Sequence, residues 1–214
     1  MNIKLKLKLG TKINIIVIAI IVVLSSMIGF VVNQEVTRGI KEFATEKAKG
    51  DLGLAYRYIN NEYPGDWEVK DNQLYKGKTL INDNYEIVDL IGEDTGYTVT
   101  IFLEDTRIST NVMIDGERAI GTQASAEVVN TVLKNGENFY GEANVAGNMY
   151  QTAYMPIKDA TGDIIGIFYV GASQEIINNL LGSFLTKFLT VLVVMIVLAF
   201  GAVYWFTSKM KKRF

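Results

Sequence analysis

The sequence predicts an α+β domain, one antiparallel sheet with a long helix and shorter helices on its faces, held between two membrane-spanning helices. Three features predict it. Two uncharged apolar runs bracket the chain, an apolar stripe at steps of four and three follows the first, and short strands with turn punctuation fill the rest.

The apolar runs are Ile15 to Val32, eighteen residues, and Phe188 to Ser208, twenty-one. At roughly 1.5 Å per residue they reach about 27 to 31 Å, the thickness of a hydrocarbon core. The first run lacks the small-x-small cleavage site of a signal peptide, so both are read as membrane spans, over 13–33 and 188–208. Charge then sets their direction. Lys4, Lys6, Lys8 and Lys12 precede the first span, while Lys209, Lys211, Lys212 and Arg213 follow the second. Basic flanks stay in the cytosol, so the stubs 1–12 and 209–214 are expected inside and 34–187 outside. Tyr204 and Trp205 fall where amphipathic rings favour the inner membrane boundary.

The formal charge of −2 averages these basic ends with an acidic middle. Residues 33–187 hold all 23 acidic residues and 13 of the 21 basic ones, a net charge of −10. No basic surface is left to bind nucleic acid. With no Cys, no disulfide framework holds the outer domain. With no His, Ser-His-Asp and Cys-His catalysis, His-ligated metals and a phosphoaccepting His are excluded from this chain. No cofactor and no metal are expected. The pattern of Asn82, Asn84, Glu86 and Glu93 mimics a calcium loop, but Ile87 stands where that loop needs Gly. A helix start capped by Asp83, with Glu86 three residues on, accounts for the same residues.

Val36, Ile40, Ala44, Ala48, Leu52, Ala55 and Ile59 lie on one helix face, continuing the first span until Pro64-Gly65 ends it. A hairpin follows around Asp71-Asn72, then a short helix within NYEIVDLIGEDTG. The strands YTVTIFLED and TRISTNVMI turn at Glu104-Asp105, and Asp115-Gly116 turns the chain toward ERAIGT. SAEVVNTVLKNG reads as a second helix ended at Asn135-Gly136. NFYGEANV, MYQTAYMPIKD and DIIGIFYVGAS read as a three-strand meander, and a helix from Gln174 leads into the second span. Ser25 and Gly29 form a small-xxx-small pair in the first span, a possible close approach between protomers.

Four blocks in order, EYPGDWEVKDNQLYKGKTLIN, TGYTVTIFLEDTRISTNV, GERAIGTQAS and YQTAYMPIKDATGDIIGIFYVGA, resemble the single Cache domain, a PAS-like extracytoplasmic sensor module of bacterial methyl-accepting chemotaxis receptors. The resemblance runs from about Gln34 to Ser173. It implies a long N-terminal helix backing an antiparallel sheet whose other face binds a small molecule. Related sensors for citrate and C4-dicarboxylates carry an Arg-x-x-His pair in the strand matching DTRIST; here Arg107 and Thr110 occupy those positions. A guanidinium can grip a carboxylate with two prongs. The missing His speaks against di- and tricarboxylates and favours a smaller or singly charged acid.

In a regular strand Arg107 and Thr110 point to opposite faces, so a shared pocket requires a bend or bulge between them. A surface salt bridge to Asp105 is the competing reading of Arg107. Arg118 reads as structural, near a turn. Tyr150, Thr152 and Tyr154 alternate onto one strand face and could line a pocket with hydroxyls, or simply pack a core. Tyr97 is a weaker candidate of the same kind, and Trp67 is expected to pack the loop after PGD.

These readings converge on a membrane chemoreceptor that binds an organic acid or amino acid outside the cell and signals through the second span. The resemblance implies a homodimer packed along Gln34 to Tyr63 and the first span. It also implies that a HAMP relay and signalling coil would follow the basic tail. Two alternatives stand beside it: a non-signalling membrane partner of a full-length receptor, and a membrane-anchored outer enzyme using a carboxylate or Lys.

Overall fold

A computed structural model describes residues 9–211. Lys4, Lys6, Lys8, Lys212 and Arg213, expected to flank the spans, lie outside the described residues. The chain divides into two compact units, one of residues 1–39 with 179–214 and the other of residues 40–178.

The first unit contains the apolar part of α1 (Leu9–Glu62) and most of α4 (Gln174–Lys211). Both helices are long and apolar enough to cross a membrane. Hydroxyls within them bond back along their own helix, as Ser26 Oγ does to the Val22 carbonyl at 2.8 Å and Thr190 Oγ1 to the Thr186 carbonyl at 2.8 Å. Such bonds satisfy polar groups that lipid cannot. Asn14 Nδ2 donates to Thr207 Oγ1 at 3.1 Å, a polar link between the two helices of this unit. Gly29 faces Phe188 of the same chain, whose ring lies 3.7 Å from where a Cβ would be built. Gly29 of that pair thus lies against the second long helix of the same chain.

The second unit is built on a five-stranded antiparallel sheet in the order β5-β4-β10-β9-β8. Its strands are β4 (Thr98–Leu103), β5 (Thr106–Thr110), β8 (Phe139–Val145), β9 (Asn148–Lys158) and β10 (Ile164–Ser173). β8, β9 and β10 form the expected meander, and β4 joins it on the open edge of β10. Two-residue turns with left-handed backbone make the hairpins. Ala146 and Gly147 close β8 on β9, while Asp71 and Asn72 close β1 (Trp67–Lys70) on β2 (Gln73–Lys76). β3 (Thr79–Leu80) completes a small separate sheet with these two, and β6 (Met113–Ile114) pairs with β7 (Glu117–Arg118).

One face of the large sheet packs on α1. Ala44, Ala48, Leu52, Ala55 and Ile59 are buried there, five of the seven stripe positions expected from sequence, while Val36 and Ile40 are half-buried. Full burial of a Leu or Ile side chain stabilises by about 1.5–3 kcal/mol, so Leu52 and Ile59 anchor the helix while the alanines let it approach closely. Polar contacts fix the register: Thr45 Oγ1 donates to Gln151 Oε1 at 3.1 Å, and Lys41 Nζ to Glu142 Oε2 at 2.5 Å. Tyr56 of α1 stacks near Trp67 and Phe168, with ring centroids 6.4 and 5.9 Å apart. Trp67 thus packs the loop after PGD, as expected.

Two local expectations need correction. Asp83 does not cap α2 (Glu86–Thr95); Tyr85 holds the N-cap position and no side chain caps the helix. Asp83 is left-handed at φ 59° and its carboxylate accepts the Tyr85 hydroxyl at 2.8 Å. The neighbouring Asn82 Oδ1 takes the Leu74 amide at 2.8 Å, so this stretch ties α2 to β2 instead of starting a helix. The second expected helix is one turn of α3 (Ala126–Val128) that widens directly into a π-helical segment, Val129–Lys134.

Candidate functional site

The site begins with a bulge. β4 and β5 pair Ile101 with Ser109 but Phe102 with Arg107, leaving Ile108 as the extra residue. Without it Arg107 and Thr110 would face opposite sides; with it both join Thr100 and Phe102 on one face. Pairing across the sheet places Tyr169 of β10 beside Thr100 and Tyr154 of β9 beside Tyr169. Tyr150 and Thr152 share the face of Tyr154 by strand alternation. Residues 112–138 cover this face, through Val112, Ala119, Val128 and Val132, which cluster with Phe102, Tyr150, Tyr154 and Tyr169.

Five of the six sequence candidates therefore share one side of the sheet: Arg107, Thr110, Tyr150, Thr152 and Tyr154. Tyr97 does not join them. It alternates with Val99 and Ile101 onto the α1 side, where its hydroxyl reaches the Ala44 carbonyl at 3.5 Å and Lys47 Nζ sits 4.1 Å from its ring. Thr152 is committed locally, its hydroxyl donating to the Gly141 carbonyl at 2.7 Å.

Arg107 is only 1 % exposed, and no ion pair holds it among the described residues. The reading of a surface bridge to Asp105 is therefore wrong. Asp105 instead accepts Gln123 Nε2 at 3.1 Å, because the chain at Thr106–Gln123 forms a β-bridge over that edge. The backbone of Arg107 is pinned on both sides, its amide donating to the Thr122 carbonyl at 2.9 Å and its carbonyl accepting from Gly121 at 2.8 Å. Its guanidinium carbon lies 4.9 Å from the Phe102 ring centroid.

The hydroxyls form an ordered chain. Thr110 Oγ1 donates to the Val99 carbonyl at 3.1 Å, so the 2.6 Å bond between Thr100 and Thr110 has Thr100 as donor. Thr100 Oγ1 is then free to accept Arg107 Nε at a long 3.4 Å. Thr122 Oγ1 donates to the Ala119 carbonyl at 2.7 Å and accepts Arg107 Nη1. By the same logic Thr98 donates to the Gly171 carbonyl at 2.8 Å, leaving the Tyr169 hydroxyl to donate to Thr98 at 2.9 Å.

The guanidinium carries five N–H groups, and neutral hydroxyls engage two of them. The hydroxyls of Tyr150 and Tyr154 make no hydrogen bond among the described residues. Burial is the largest influence on every titratable group here. It lowers the Arg107 pKa, though a guanidinium remains charged. It raises Tyr150, Tyr154 and Tyr169, which stay neutral phenols. Tyr150, Tyr154 and Tyr169 are the ionisable groups acting on the guanidinium among the described residues. The face thus presents one uncancelled positive charge and unspent donors, at a depth where an unpaired charge is costly.

Arg118 behaves as the structural arginine expected. It grips Asp89 with both prongs at 2.7 and 2.6 Å and donates to the Thr110 carbonyl at 2.6 Å. That bond steadies the end of β5. Sequence reasoning missed Thr100, Phe102, Thr122 and Tyr169. Tyr169 follows the strand alternation of DIIGIFYVGAS, a readable signal, whereas nothing local in GERAIGTQAS marks Thr122.

Comparison with known proteins adds a family. Residues 79–184 match the family described as single Cache domain 3, a span that includes Arg107, Thr122, Tyr150 and Tyr154. No curated protein matches the chain. Among solved structures, the sensor domain of Escherichia coli DcuS is 15 % identical over 67 % of this chain and 95 % of its own, with a TM-score of 0.39. The periplasmic sensory domain of the Campylobacter jejuni chemoreceptor Tlp1 is 15 % identical over 69 % of this chain and 59 % of its own, with a TM-score of 0.38. The ligand-binding domain of Campylobacter jejuni Tlp3, solved with L-valine, is 14 % identical over 70 % of this chain and 66 % of its own, with a TM-score of 0.34.

Proposed function

Because this chain is a member of the single Cache domain 3 family, we propose that it is a transmembrane chemoreceptor or sensor that binds a small organic anion outside the cell. One observation carries the reading: Arg107 is a buried guanidinium with no carboxylate partner among the described residues, beside tyrosine hydroxyls with no partner either. A ligand carboxylate would satisfy the charge and take up the free N–H and O–H donors together.

The proposed organisation is a span at 13–33, a sensor domain at 34–187 and a second span at 188–208, with both termini in the cytosol. Charge asymmetry along the chain supports that direction. Homodimerisation along α1 is part of the proposal, supported by the exposed apolar side chains Phe43 and Leu54 on its outer face. β10 ends at Ser173 and α4 begins at the next residue, so a shift of the liganded sheet would pass into the second span without an intervening loop. Helix displacements of about 1–2 Å are usual for such switches. A coupling free energy of about 1–3 kcal/mol biases an output several-fold or more.

The test is thermal unfolding of the purified full chain in detergent micelles against a panel of small carboxylates and amino acids. One close chemical series should raise the midpoint, since a ligand at a hundred times its Kd stabilises by about 2.7 kcal/mol. Arg107→Ala should keep the apo fold and lose the shift. If no compound stabilises the protein, or Arg107→Ala retains the full shift, the proposal is wrong.

A further inference from the structure

We infer that the Arg107 site selects a carboxylate bearing a single negative charge, no amine and a short apolar tail, over dicarboxylates and amino acids. The inference rests on the sensor reading above and deepens it. It comes from an inventory of charge on the ligand face and on everything packed against it.

On the sheet itself, the groups facing this side are Arg107, the hydroxyls of Thr98, Thr100, Thr110 and Thr152, and the phenols of Tyr150, Tyr154 and Tyr169. The covering segment contributes Thr122 and the apolar side chains of Val112, Val128 and Val132, while its charged residues Asp115, Glu117, Glu127, Lys134 and Glu137 are exposed. Arg107 is the one buried formal charge among these residues. A second ligand carboxylate would need a second cation. Arg118, which bonds the Thr110 carbonyl, has both prongs on Asp89 and so is already spent. Lys41 and Lys47 belong to α1, on the opposite side of the sheet, paired with Glu142 and Asp51.

An α-amino acid raises the converse problem. Its ammonium sits one carbon from its carboxylate and would enter beside the guanidinium, where like charges repel. It would need an acid on the buried face, and the described residues supply none there. Glu175, at the first turn of α4, is exposed. The remaining surroundings of Arg107 are apolar or aromatic. Phe139, Tyr154 and Tyr169 pack in sequence with ring centroids 5.9 and 4.7 Å apart, and Val128 and Val132 lie over them, which suits a short hydrocarbon tail.

Isothermal titration of the full chain in detergent micelles tests this with four small probes: propionate, succinate, L-alanine and propionamide. Propionate should bind saturably, at least ten-fold more tightly than succinate or L-alanine, and propionamide should show no binding. Arg107→Lys, which keeps the charge but loses the fork, should weaken propionate binding at least ten-fold while the unliganded thermal midpoint stays close to wild type. If Arg107→Lys unfolds, Thr122→Val serves instead, because it removes one hydroxyl that orients the guanidinium; it should weaken propionate and leave the probe order intact. Succinate or L-alanine binding as tightly as propionate would overturn the selectivity while leaving the sensor reading standing. No binding by any probe would overturn the selectivity, and propionamide binding as well as propionate would overturn both.

Discussion

Arg107 and Arg118 sit eleven positions apart in one small domain and meet opposite fates, which their partners explain. Arg118 has Asp89 across from it and closes a structural clamp; Arg107 has hydroxyls and a phenyl face, and its charge stays open. Glu142 shows the ordinary case of a carboxylate with a partner. Hydrogen bonds from Lys41, then from Gln151 at 2.9 Å, hold its pKa below the usual range. A lowered folded pKa means the bonds stabilise above the unfolded value of about 4.3 and are lost as pH falls through the folded value. Glu142→Gln should therefore lower the thermal midpoint at pH 7, by the equivalent of about 0.5 kcal/mol given the solvent screening of this half-exposed pair. The gap between variant and wild type should close as pH falls below the unfolded value and through the lowered folded one. A gap that stays constant with pH would show that the carboxylate charge is not what joins α1 to β8 and β9.

At the scale of elements, periodicity and turn chemistry made most of the domain legible. The α1 stripe, the Asp71-Asn72 and Ala146-Gly147 turns and the β8–β9–β10 meander all follow from local residue patterns. What was not legible depends on partners distant in sequence. The Ile108 bulge exists because β5 must match β4 while the segment 119–123 pins its outer edge, and no feature of DTRIST announces it. The π-helical segment 129–134 likewise has no local signal in SAEVVNTVLKNG, although the burial of Val128 and Val132 four residues apart does follow from it. Asp83 misled because a capping pattern and a tight Asx-type turn use the same residue types. Tyr97 misled because a tyrosine in a strand carries no label for which face it serves; its phase with Val99 sends it to α1. Gly171 shows a positional need that only the fold exposes. Tyr169 lies across it, with ring carbons 2.8 Å from where a Cβ would stand, so a side chain at 171 would push the phenol out of the site.

At the scale of the whole molecule, the domain is proposed to face outward between two spans, and the chain's lack of Cys makes that easy to check. Thr161 lies in the exposed turn between β9 and β10, where Asp159 and Asp163 hold it. A single cysteine placed there should react with a membrane-impermeant maleimide on intact cells. Protection until the cells are lysed would reverse the orientation. The central claim, that a buried guanidinium without an acid partner is the receptor for an organic anion, is tested most directly on Arg107 itself. The chain has five arginines, so the Nε–Hε signals of [15N]arginine-labelled full chain in nanodiscs form a small spectrum in which Arg107→Lys assigns its own resonance by deletion. Titration with propionate should move the Arg107 signal saturably and leave those of Arg57 and Arg118 in place. A stationary Arg107 signal under saturating propionate would contradict the account.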